Sequence, residues 1–165
     1  MPQEFNMQDA IKMAIQTEKN VMDFYKRAAE TTQNQRGRKV FELLSREERE
    51  HAGHFFHLYQ GSDLGTFEEF MARPPQASST MLKALEKAID AEVSDRKAME
   101  IALKEEADLE KNLANTAQKI VDPAVRSVFE RMAKETRDHY EMIESEYAHL
   151  MGMVHETDID TYVRE

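Results

Sequence analysis

Five residues are set apart by type and spacing: Glu18, Glu48, His51, Glu106 and His139. Glu48 and His51 are three apart, so on a helix they face the same way, toward the apolar side that carries Leu44 and Phe55. Glu18 falls in the middle of the stripe made by Ile11, Ile15, Met22 and Tyr25, and Glu106 holds the equivalent place among Met99, Ala102, Leu103 and Leu113. A bare carboxylate in a dry core is costly, so three of them with two imidazoles are tenable only where something cationic compensates them. The chemistry this implies is metal binding. Oxygen and imidazole donors without thiolate suit iron or manganese, with zinc as the alternative, and a Glu between two ions can bridge them.

The remaining composition narrows the field. The chain has no cysteine, which excludes disulfides, thiolate nucleophiles, iron–sulfur clusters and Cys-ligated zinc or iron on it. A formal net charge of -10 with no basic patch argues against a nucleic-acid partner. The apolar runs are only a few residues long, which argues against a membrane partner, and "MPQEFNMQDAIKM" lacks the basic and apolar regions of a secretory signal. The expected location is cytoplasmic.

The elements that must position these residues are helices. With 165 residues, 41% hydrophobic, 33% charged, five Gly and four Pro, the chain is expected to form one all-α domain over residues 1–165. Shifted by 88 residues without gaps, residues 7–51 lie over 95–139, and eleven positions are identical: Ala10, Ala14, Glu18, Ala29, Arg38, Val40, Phe41, Glu42, Glu47, Arg49 and His51 meet their own kind. This is the signature of an internal duplication. Each half reads as a helical hairpin. In the first, the stripe through Ile11, Ala14, Ile15, Glu18, Met22 and Tyr25 is broken at "ETTQNQRG" and resumes through Val40, Phe41, Leu44, Glu48, His51 and Phe55. In the second, Asp122 caps and Pro123 opens a helix carrying Val125, Val128, Phe129, Met132, His139 and Ile143. Two hairpins joined by a long crossover at about 60–94 make a four-helix bundle in which helices two and three run parallel. The crossover has an apolar stripe of its own at Leu82, Leu85 and Ile89, and a tail of about 152–165 is expected to be a surface segment or interface arm.

The two hairpins set the five residues at one level. From a turn at Asn34, Glu18 lies 16 residues before, Glu48 14 after and His51 17 after; from a turn at Asp122, Glu106 lies 16 before and His139 17 after. At a rise of about 1.5 Å per residue, all stand roughly 21 to 26 Å from their turns.

The segments "AIQTEKNVMDFYKRAAE", "VFELLSREEREHA", "AMEIALKEEADLEKNLA" and "VFERMAKETRDHYEMIESEY" resemble the four helices of the ferritin-like superfamily, in particular its rubrerythrin-like branch, over about residues 7–150. The resemblance implies a di-iron site with Glu18 and Glu106 as terminal carboxylates, Glu48 as a bridge, and His51 and His139 as nitrogen ligands. It also implies that Tyr25 serves as a hydrogen-bonding neighbour of the ligands, although Tyr25 reads equally well as a core aromatic. Rubrerythrins pair this site with a rubredoxin domain, and a chain without cysteine cannot ligate a rubredoxin iron.

One position departs from the pattern. The family places Glu three residues before the second histidine, and this chain has Thr136. Two neighbours are candidates to compensate: Glu135, at the edge of the same helix like its repeat mate Glu47, and Glu110, which takes the inward place of Met22. His54 and His57 read as surface residues. The functional expectation is a non-haem di-iron protein, two irons per chain, that reacts with hydrogen peroxide or O₂ in oxidative-stress defence. It would draw electrons from a separate donor protein and act as a homodimer. The alternatives are a ferroxidase for iron handling and a degenerate-site scaffold.

Overall fold

The computed structural model describes residues 5–92 and 94–163. Six helices follow in chain order, all of them α-helical: α1 Met7–Thr31, α2 Gln35–Leu58, α3 Phe67–Met71, α4 Thr80–Asp90, α5 Ser94–Lys119 and α6 Pro123–Val163. Among the described residues there are no strands, and the fold is an all-α ferritin-like bundle of α1, α2, α5 and α6. The apolar stripes explain the pairing: Ile11, Ile15, Met22, Phe41, Leu44 and Phe55 are completely buried, as is Met132 on α6.

The helix ends follow local chemistry. The Asn6 side chain accepts from the Asp9 amide at the start of α1, and Asn34 accepts from the Gly37 amide at 2.7 Å to open α2. Three residues, Thr32 to Asn34, suffice for the turn between them, fewer than the polar stretch in the sequence suggests. Asp122 Oδ1 accepts from the amides of Ala124 and Val125, so the expected cap and the Pro123 start are both present in α6. α6 then runs on through Gly152 to Val163, where the sequence suggests a separate tail. One helical Gly costs only about 1 kcal/mol, too little to break a helix flanked by Leu150, Met151 and Met153. Arg164 and Glu165 lie outside the described residues.

The link between the hairpins is ordered and helical in part. α3 is opened by a capping box of Thr66 and Glu69, and α4 by Ser79. α4 buries Met81, Leu85 and Ala88, while Leu82 and Ile89 are only partly covered, so its inward face is turned from the stripe expected of it. Several bonds fasten the link to α1 and α2, among them Asn20 to Gln76 and Arg27 to Glu86, and two contacts set its course. Lys19, buried on α1, donates to Asp23 at 2.6 Å and to the backbone carbonyl of Arg73 at 2.9 Å. At the far end, Asp95 in the first turn of α5 accepts from the Gln33 and Asn34 amides at 2.9 Å each. α5 therefore starts beside the place where α2 starts. Phe55, late in α2, packs on Phe129, early in α6, with ring centroids 4.8 Å apart, so these two helices run in opposite senses.

Candidate metal centre

The four long helices bring all five predicted residues into one buried cluster. Glu18, Glu48 and Glu106 are 0% exposed, His51 3% and His139 2%. Each comes from a stripe that would otherwise be wholly apolar, which is why the bundle cannot turn them outward without exposing its core. Glu48 lies between the two imidazoles. Its Oε1 is hydrogen-bonded to His139 Nδ1 at 2.9 Å, and its Oε2 lies 3.7 Å from His51 Nδ1. Glu18 Oε2 stands 3.6 Å from the same nitrogen of His51, and Glu106 Oε1 stands 3.8 Å from Nδ1 of His139. The two rings are nearly parallel, at 8°, with centroids 5.0 Å apart. One ligand atom each from Glu48, His51 and His139 lies within 4.8 Å of the other two.

The electrostatics of this cluster are those of crowded charge. Burial, then the charges of Glu18 and Glu106, push the Glu48 carboxyl well above the usual range. Burial also raises Glu106 to about 8, against the hydrogen bond from Tyr25. Burial opposes the charged form of Glu18 as well, yet the proximity of Glu48 and of the His51 imidazole leaves it below its ordinary value. His139 is lowered by burial and by the adjacent His51; His51 is raised because Glu18 faces it and outweighs the effect of burial. These directions fit a protonated Glu48 donating to Nδ1 of a neutral His139.

The polar atoms in the cluster are poorly satisfied by the protein itself. Among the described residues, the buried side-chain oxygens and nitrogens without a hydrogen-bond partner belong to Glu18, Glu48, His51, Glu106, Glu135 and Thr136. Such a concentration is unusual in a native core, where buried polar groups are paired. Both oxygens of Glu18, one of Glu48, one of Glu106 and Nδ1 of His51 are left without a hydrogen bond. The donor set is hard oxygen and imidazole, chemistry that fits divalent metal ions, and Glu48, His51 and His139 could hold one.

Two neighbours qualify the sequence reading. Tyr25 reaches across to α5 and donates to Glu106 Oε1 at 2.6 Å; spacing along α1 puts it near Glu18, but the partner is on another helix. Glu47, which sequence alone places at the edge of α2, meets the outer nitrogen Nε2 of His139 at 3.3 Å. Its signal was its position four residues before His51, one helical turn away on the side facing α6. A carboxylate on the outer nitrogen of an imidazole fixes its tautomer and leaves Nδ1 free as a donor to a metal. Thr136 is completely buried, as its place on the inward face of α6 requires. Glu110 is half-buried and makes no hydrogen bond or ion pair with the five residues, and His54 and His57 are exposed.

A four-helix bundle holding carboxylates and imidazoles at one level defines the ferritin-like class of metal-binding proteins. A family model described as Rubrerythrin matches residues 9–147, and the chain belongs to the rubrerythrin family, whose members bind di-iron. Neither the comparison with curated proteins nor that with solved structures gave a match. Among the described residues, no helix is long and apolar enough to cross a membrane.

Proposed function

We propose that this chain is a di-iron carboxylate oxidoreductase that reduces hydrogen peroxide or O₂ in oxidative-stress defence. Glu18, Glu48, His51, Glu106 and His139 are its ligands. The observation that carries the reading is Glu48, buried between Nδ1 of His51 and Nδ1 of His139 with its neighbours' charges uncompensated. A ferrous pair, when bound, would supply the two electrons that, with two protons, reduce hydrogen peroxide to two waters. The chain's own residues provide the rest. Glu18, His51, Glu106, His139 and Glu48 are the residues that would hold the ions. Tyr25 steadies Glu106 through its hydroxyl, and burial excludes water.

With no cysteine, the chain has no thiolate-ligated iron to pass electrons inward, so a separate donor protein is part of the proposal. A cytoplasmic homodimer is the form expected to do this work, with manganese or zinc as competing metals. Thr136, in place of a carboxylate, favours a second reading in which the same centre only oxidises ferrous iron for iron handling, or is a degenerate scaffold. The deciding experiment measures iron per chain after anaerobic loading, then peroxide consumption with an external electron donor, in the wild type and in His139→Ala. Two irons per chain and donor-dependent peroxide loss, both absent from the variant, are expected. Two irons without donor-dependent turnover would leave iron handling, and no bound metal would leave the scaffold.

A further inference from the structure

The duplication is intact at Glu48 and broken at Thr136, and the structure shows what stands there instead. Thr136 is 0% exposed, lies one turn from His139 on the same face of α6, and its Oγ1 has no hydrogen-bond partner. Among the described residues, no other carboxylate closes the gap. Glu110 is half-buried and outside the cluster. Glu135 has one shielded oxygen, but that oxygen lies 3.2 Å from Arg131 Nε, and its repeat mate Glu47 sits on the outer side of His139, away from Nδ1. By the repeat, Glu135 corresponds to a residue on the outer side of an imidazole, and it pairs with Arg131 rather than with any of the five residues.

Charge counting points to the occupant. Three carboxylates against two divalent ions leave one uncompensated positive charge in a dry core, where it is costly. On the reading proposed above, we infer that the position opposite Glu48 is an anion site: a small monoanion of the carboxylate or azide class takes the place of the missing bridge, and the Thr136 hydroxyl donates a hydrogen bond to it. Met132 and Phe129, on the same face of α6, are buried as well, so formate, the smallest carboxylate, is the probe of choice. The anion and the second metal ion then bind as coupled partners, each raising the affinity of the other by the same factor.

The test uses the full chain with zinc, which is redox-inert, and formate as the probe, with stepwise affinities read by calorimetry. In the wild type the second zinc is expected to bind about a hundredfold tighter when formate is present at a hundred times its own dissociation constant. Thr136→Val keeps the volume and removes the donor, and should weaken formate about tenfold. Thr136→Glu should bind the second zinc tightly without formate and lose the formate effect. If Thr136→Glu does not fold, the valine variant decides. Two equally tight zincs with no formate effect would overturn the anion site and leave the di-metal reading standing; loss of the second zinc in Glu135→Gln or Glu110→Gln would then identify the side chain that replaces it. One zinc or none, with or without formate, in the wild type would overturn both.

Discussion

The two halves of the molecule were built to one plan and have diverged in what they do for each other. Glu18 and Glu106 are repeat mates, yet Glu106 receives the Tyr25 hydroxyl from the other half, while Leu113, the mate of Tyr25, has nothing to offer Glu18. Glu48 serves both imidazoles, and its mate Thr136 serves neither. Lys19 ties the link to α1, and its mate is Ala107, exposed on α5. The lesson is that the first hairpin supplies Glu48, the Tyr25 hydrogen bond and the Lys19 fastening, whereas the second supplies one carboxylate and one imidazole to the cluster and Asp95 to the bundle end. Symmetry of backbone persists where symmetry of chemistry has gone.

Lys19 offers the largest break in this comparison. Lys19→Met strands Asp23 as a buried charge and should cost about 3 to 5 kcal/mol in denaturant unfolding, against less than about 0.5 kcal/mol for Ala107→Ser. The double variant Lys19→Met with Asp23→Leu should recover much of the loss, because no charge is then left unpaired. A smaller effect is expected at Tyr25. Tyr25→Phe removes a donor to Glu106 and should cost about 1.5 to 3 kcal/mol in metal-free protein, whereas Leu113→Met should cost under about 1.5 kcal/mol.

The pH dependence of the metal-free protein sharpens the contrast between the carboxylates. Glu48 and Glu106 are raised, Glu106 to about 8, so the folded state keeps protons that the unfolded state has released above its own carboxylate pKa. Their contribution is complete at low pH and disappears as pH rises through the folded values. Between pH 7 and 8 stability should fall by up to about 1.4 kcal/mol per unit for each retained proton. Glu18, lowered, is ionised in both states in that window and adds no slope. A stability that is flat or rises from pH 7 to 8 would contradict this. Metal binding must expel those protons, so it should tighten over the same range.

Much of this was legible in the sequence because it is written in one dimension. The stripes in α1 and α2, the Asp122–Pro123 start of α6 and the inward placement of Glu18, Glu48, His51, Glu106 and His139 all follow from a period of 3.6 residues. What escaped depends on contacts between distant segments. Lys19 sits about 100° round the helix from Glu18, off the apolar stripe, and is buried only because the link folds back to place the Arg73 carbonyl over it. Tyr25 finds its partner 81 residues away, and the inward face of α4 is chosen by α1 and α5 together. The family's activity is likewise a matter of the site rather than of the bundle.

Asp95 has a wider meaning than a fastening. Helices α2 and α5 stand diagonally in the bundle and begin at the same end, so the partial positive charges of their amino ends gather there, an arrangement that repels. One carboxylate placed in the first turn of α5 and bonded to the amides that lead into α2 faces both fields at once. It acts as a shared counter-charge for two dipoles that point the same way across the diagonal of a bundle whose adjacent helices alternate.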